Sequence, residues 1–190
     1  MKTRRQFGKW VLKGGLLIPF IAPAVARSAT ILIHGPRINS AVPQYYYPFS
    51  FDSTSFTSSQ SGIVGYHVGA PVIAGATGTC TKIGCRLQDI DSITNFIVCL
   101  YSNAGALLAG TTGATDGSFA AKWYDVTISQ AVVASTTYRI LFSVDDNDTL
   151  EYGAAGQDGY YTEDDYSGTC VSSPTFNADT GFCHSVRLFV

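Results

Sequence analysis

The chain has 190 residues, 46% of them apolar and only 14% charged, enough for one ordinary domain plus a leader and well below the usual charged quarter. Its surface must therefore be made polar by Ser, Thr, Asn and Gly, and no window sustains a 3.6-residue period, which argues against an all-α fold. The formal charge of −2 hides an asymmetry, because Lys2, Arg4, Arg5, Lys9 and Lys13 precede a body with 7 basic and 14 acidic residues, net −7, a poor partner for nucleic acid.

Residues 1–13 form a basic region, and Gly14 to Val25 a short apolar stretch interrupted by Pro19 and Pro23. Ala24-Val25-Ala26 fits the small-x-small cleavage rule, so residues 1–26 read as a signal peptide and 27–190 as a single domain. Thr3-Arg4-Arg5-Gln6-Phe7-Gly8-Lys9 resembles the twin-arginine export motif, with Gly8 where Leu is usual, which leaves the general secretory route open. Either route means export, to the periplasm, the cell surface or beyond. The alternative is an uncleaved amphipathic arm or membrane anchor. The apolar run is shorter than the roughly 20 residues a bilayer requires, so no stable membrane span is expected.

In the body, Thr30 to His34 can form a first strand, closed by Gly35-Pro36. Asn39 to Gln60 is Ser/Thr/Pro-rich and carries Tyr45-Tyr46-Tyr47-Pro48-Phe49; its aromatics need something to cover, so it reads as an extended connection across the core. Gly62 to Val68 alternates as a strand, and Gly69 to Gly78 reads as a loop. Thr79 to Leu87 alternates again, with Ile83, Cys85 and Leu87 on one face. Ile93 to Tyr101 is rich in β-branched and aromatic residues and stops at the turn cluster Ser102 to Gly105, with Leu107 to Ala109 as a short return. Tyr124, Val126 and Ile128, then Tyr138, Ile140, Phe142 and Val144, each recur with a period of two. Leu150 to Tyr152 is a short strand, Ala154 to Thr180 a long irregular excursion, and Ser185 to Val190 a closing strand with Val186, Leu188 and Val190 inward. Seven to nine short strands separated by turns specify an all-β fold, an antiparallel β-sandwich of jelly-roll type behind an N-terminal leader.

Thr81 to Gly84, Phe96 to Ala109, Trp123 to Ile128 and Val133 to Leu141 follow one pattern. It resembles the jelly-roll accessory domains of secreted bacterial proteins and of phage tail or fibre proteins, several of which are similar to carbohydrate-binding modules. The resemblance spans Gly62 to Tyr152 and rests on packing and turn positions, so it implies a fold and carries over no binding residue. In those domains the position of Trp123 is a packing position.

The five cysteines, Cys80, Cys85, Cys99, Cys170 and Cys183, all follow the leader. Cys170 and Cys183 bracket part of the excursion and form the expected disulfide; Cys80 can pair with Cys85 or Cys99, or Cys85 and Cys99 can be small core residues. No Cys-x-x-Cys pair marks a zinc site. From Asp145 to Asp165 there are eight acids and no Lys or Arg. Within it, Asp145, Asp146 and Asp148 have the alternation a calcium ion would take, against the simpler reading of a solvated acidic loop; no other cofactor is indicated.

Tyr160, Tyr161 and Tyr166 lie among these acids, and Tyr45, Tyr46 and Tyr47 form a second cluster. Aromatic rings beside carboxylates suit sugar binding, and equally suit stapling loops onto a sandwich. His34, His67 and His184 form no metal-ligand pair, no Gly-x-Ser-x-Gly elbow exists, and His184 falls on the inward phase of the last strand. The expectation is a secreted, non-enzymatic module that binds a glycan or surface component through its loops. A structural assembly protein, such as a virion decoration or fibre component or a surface-layer subunit, is the alternative, with self-association as its partner interaction. A small secreted hydrolase is the third.

Overall fold

The period-two segments pair into two antiparallel sheets. The computed structural model describes residues 43–49, 51–56, 58–60, 65–88, 95–117, 120–145, 150–155, 157–164 and 166–190, with backbone alone at 58–60, 150–152 and 154–155. The expected signal peptide and the strand at Thr30 to His34 lie outside the described residues. In chain order the strands are β1 (Tyr45–Tyr46), β2 (Ser58–Gln60), β3 (His67–Ile73), β4 (Gly78–Gln88), β5 (Asn95–Ser102), β6 (Leu107–Ala114) and β7 (Lys122–Val132). They continue with β8 (Thr137–Val144), β9 (Leu150–Ala155), β10 (Gly159–Thr162), β11 (Asn177–Asp179), β12 (Phe182–His184) and β13 (Val186–Phe189). Thirteen strands exceed the seven to nine expected because short pieces of two to four residues complete the sheets around longer ones. Among the described residues no helix is long and apolar enough to cross a membrane.

The six-stranded sheet runs β11-β10-β3-β8-β5-β6. In the seven-stranded sheet β4 is central, paired with β7 along one side and with β13 and β9 along the other; β1 flanks β13, while β2 and β12 pair with β9. The facing sides interdigitate Val68, Ala70, Val72, Phe96, Val98, Leu100, Ile140 and Phe142 of the six-stranded sheet with Ile83, Cys85, Leu87, Val186 and Leu188 of the seven-stranded sheet. Each fully buried large side chain here contributes about 1.5–3 kcal/mol of transfer free energy.

Two strands extend beyond their expected limits. β3 continues through Gly69-Ala70-Pro71-Val72-Ile73, where the Gly/Pro content suggests a loop. Gly69 serves close approach instead: a Cβ there would overlap the Ile140 carbonyl oxygen of β8. Pro71 is tolerated because β10 pairs with β3 only as far as Gly69, and the next contact is an isolated bridge between Pro48 and Val72, so no strand runs opposite the proline among the described residues on that flank. β6 runs on through Gly110-Thr111-Thr112-Gly113-Ala114, paired residue for residue with β5.

The largest correction concerns the excursion and its disulfide. Cys170 is bonded to Cys99, with Cα atoms 5.7 Å apart and a sequence separation of 71, and not to Cys183. Cys183 instead lies buried in the main core, its Sγ donating to the His184 carbonyl oxygen at 3.7 Å. The physical reason lies in β5. Phe96, Val98 and Leu100 face the core, while Ile97, Cys99 and Tyr101 on the opposite face are also buried, each at 0–1% exposure. With Leu141 they form a second apolar cluster, against which Tyr160, Tyr166, Cys170 and Phe176 pack. Gly110, paired with Cys99, is bare at the point of attachment: a Cβ there would overlap the Cys170 sulfur.

Closing a loop of this length stabilises by about 4 kcal/mol in the chain-entropy model. Replacing Cys170 with Ser is expected to lower the unfolding free energy by about 2–4 kcal/mol, read as a shift of the urea midpoint. Replacing Cys183 with Ser should leave the cross-link intact, as a non-reducing mass measurement would report.

Candidate functional site

The outer face of the seven-stranded sheet is built around a row that crosses three strands. Arg187 of β13 is opposite Gly84 of β4, which is opposite Asp125 of β7. A Cβ on Gly84 would overlap Asp125 Oδ1, so the glycine opens the lane through which the guanidinium reaches the carboxylate. Arg187 Nε and Nη2 donate to Asp125 Oδ1 and Oδ2 at 2.9 and 2.8 Å, a two-pronged charge-assisted pair. Its Cζ lies 3.9 Å from the Tyr45 ring centroid and 4.5 Å from that of Trp123.

The segment before β2 closes over this row. Tyr45 donates to Asp125 Oδ2 at 2.6 Å; burial, together with that bond, pushes its phenol pKa up to about 12. Tyr47 meets Trp123 edge to face at 5.5 Å, and Phe56, fully buried, meets the same indole at 5.5 Å. Asp52 accepts from the Thr54 amide at 2.8 Å and its hydroxyl at 2.7 Å, closing the turn that delivers Phe56 to the core. Tyr46, on the opposite phase, packs against the main core. Tyr45, Tyr46 and Tyr47 thus pack against Arg187, the core and Trp123 respectively. Trp123 is in a packing position.

The other tyrosines lie on the six-stranded sheet and do not meet that cluster in one groove. Tyr160 of β10 and Tyr166 pack on the cluster beneath the excursion, whereas Tyr161 turns to the main core and meets Tyr66 edge to face at 5.9 Å. Tyr160 and Phe176 make a perpendicular corner with centroids 5.9 Å apart, and Arg139 of β8 packs against both, its Cζ 4.8 and 4.4 Å from their centroids. Arg139 and Phe176 were not singled out by sequence. Their signal was available in the charged residue at the outward phase of an apolar strand and in a phenylalanine inside a polar excursion.

Of the calcium candidates, Asp145 accepts from the Asn95 amide at 3.2 Å and the Asn95 side-chain amide at 2.9 Å, tying the end of β8 to the start of β5. Asp146 and Asp148 lie outside the described residues. Among the described residues no group of three or more His, Cys, Asp or Glu side chains could hold a metal ion.

A polar patch runs across the same outer face. Thr162 of β10 is opposite His67 of β3, and the adjoining β3–β8 register brings Ser143 beside His67. His67 and Ser143 are fully buried; among the described residues both imidazole nitrogens and the Ser143 hydroxyl lack a hydrogen-bond partner. Thr162 donates to Asp164 Oδ2 at 2.9 Å. Burial lowers the His67 pKa, and the charge of Asp164 offsets only part of that. His184, likewise fully buried, has Nε2 2.7 Å from Asp179 Oδ2.

No family model and no curated protein matches this chain.

Because the folded state holds His67 below its unfolded value of 6.5, the unfolded chain takes up the extra proton as pH falls. The stability that neutral His67 preserves is complete above that value and is lost as pH drops through it. A His67→Gln variant is expected to show a flatter decline of unfolding free energy between about pH 7 and 5 than the parent chain. The difference between the two curves removes the contribution of His184, common to both.

Proposed function

We propose that this protein is an exported, non-enzymatic β-sandwich that binds a glycan or another cell-surface component. The observation that carries the reading is the outer face of the six-stranded sheet, where the pinned excursion brings Tyr160 and Phe176 against Arg139. Ile73, on the same face and 52% exposed, borders it along β3. Aromatic and aliphatic surface suits the apolar faces of sugars, and a guanidinium supplies up to five donors for their oxygens. The resemblance of Gly62 to Tyr152 to jelly-roll accessory domains, several similar to carbohydrate-binding modules, points the same way. The signal-like leader and the Cys99–Cys170 disulfide support export, since such bonds persist in oxidising compartments.

Two features support a role in binding over catalysis. His67, Ser143 and Asp164 are the residue types of a hydrolytic triad, and they occupy one region of the sheet. Yet neither imidazole nitrogen bonds the serine hydroxyl, and both His67 and Ser143 have no exposed surface for a substrate to reach.

A second reading, assembly with further copies, is favoured by one observation. β6 is an edge of its sheet, eight residues long, without a charge or a proline. Strands of that kind are templates for pairing unless something blunts them.

On the binding reading, native mass spectrometry should find a monomer beginning at Arg27, and a glycan array should return a defined set of saccharides. A Tyr160→Ala, Phe176→Ala double variant should lose about tenfold or more in affinity for them. An oligomer that Thr112→Lys on β6 dissociates would instead select the assembly reading.

A further inference from the structure

Each sheet carries on its outer face one arginine packed against two aromatic rings, and the two differ in a single respect. Arg187 rests on Tyr45 and Trp123, and Asp125 takes its planar edge with both carboxylate oxygens. Arg139 rests in the Tyr160–Phe176 corner, and among the described residues it forms no ion pair and no hydrogen bond through its side chain. Its Nε is buried without a partner among the described residues, while the residue as a whole is only partly buried.

This is costly in isolation. A buried donor left unsatisfied loses its solvation without replacement, and among the described residues no carboxylate pairs with this guanidinium, although the body beyond the leader carries a net charge of −7. The surroundings hold the guanidinium in place all the same. Tyr101 and Pro71 are its register partners on the flanking strands β5 and β3. Phe176 is also anchored over Gly105, where a Cβ would stand 3.2 Å from its ring, and against Tyr101 at 5.5 Å. A fixed guanidinium with no ion-pair partner among the described residues is preorganised for one supplied from outside, because the ordering of its side chain precedes binding.

We infer that the Arg139 corner is a subsite for an anionic group, a carboxylate or sulfate, that supplies at Arg139 the counter-charge Asp125 supplies at Arg187. The anion subsite stands on this geometry. That the anion belongs to a saccharide rests on the function proposed above, and the ligand class is then an acidic glycan, a uronate or a sulfated sugar, with Ile73 and the aromatic corner beside its apolar face.

The test has two arms. In the first, acetate and sulfate are titrated into the full protein while the Arg139 side-chain resonances are followed by NMR. They should move saturably, and those of Arg187, already paired, should not. In the second, galacturonic acid oligomers are compared with galactose oligomers of equal length by calorimetry. The acidic series should bind about tenfold or more tightly, Arg139→Gln should abolish that preference, and Arg139→Lys should restore only part of it. Circular dichroism and an intact Cys99–Cys170 bond certify the variants as folded. Arg139 resonances that ignore both anions would overturn the inference, as would an acidic preference that Arg139→Gln leaves intact. If the anions move Arg139 but no saccharide binds, the anion subsite stands and the glycan reading falls.

Discussion

Strand β5 is buried on both faces, and most of the molecule's less regular structure follows from that constraint. Six consecutive residues, Phe96 to Tyr101, are each at most 1% exposed. In a two-layer antiparallel sandwich one face of each strand is covered by the other sheet, and its opposite face is ordinarily left to water. Ile97, Cys99 and Tyr101 therefore require a third layer. The chain from Tyr160 to Phe176 supplies it, attached by Cys170 at the bare surface of Gly110 and by the hydrogen bond from the Tyr101 hydroxyl to the Val171 carbonyl at 2.9 Å.

The seven-stranded sheet solves the same problem at its other surface with different chemistry. There the covering segment is Tyr45 to Phe56, and the outward residues of β4, β7 and β13 include Gly84, Arg86, Asp125 and Arg187, which are largely polar. Covering them without leaving unpaired charge requires the Arg187–Asp125 bridge and the Tyr45 hydroxyl, and the Arg86 guanidinium donates to the Phe56 carbonyl. Both outer faces thus set an arginine against aromatic rings, one neutralised from within the fold and the other without an ion-pair partner among the described residues. That difference makes the excursion side the better candidate for recognition.

Much of this architecture was legible in the sequence. Alternation in Tyr138 to Val144 and Thr79 to Leu87 identified core strands and their inward residues, and the aromatic segment before β2 was read as a cover because its rings needed a surface. The excursion was read as a loop because Gly, Ser, Thr and acids hide period-two pairing in strands as short as β10 and β11. The disulfide was misassigned for a related reason. Proximity in sequence favoured Cys170 with Cys183, whereas the partner was set by a face of β5 that a two-layer scheme leaves uncovered. The continuous apolar run Phe96 to Tyr101 was the available clue, since a strand with one wet face should have alternated. Arg139 carries only a weak local mark, a charge at the outward phase of an apolar strand, because what sets it apart from a surface arginine is packing against Tyr160 of β10 and Phe176 of the excursion.

The account turns on the excursion being fixed across the outer face of β5, since that contact creates both the third layer and the Arg139 corner. The most direct measurement is peptide mapping of the unreduced protein by mass spectrometry. The account predicts a single linked species joining the peptide of Cys99 to that of Cys170, with Cys80, Cys85 and Cys183 recovered as thiols. A link between Cys170 and Cys183, or Cys170 recovered as a thiol, would contradict it, and would leave the apolar outer face of β5 without the layer assigned to it here.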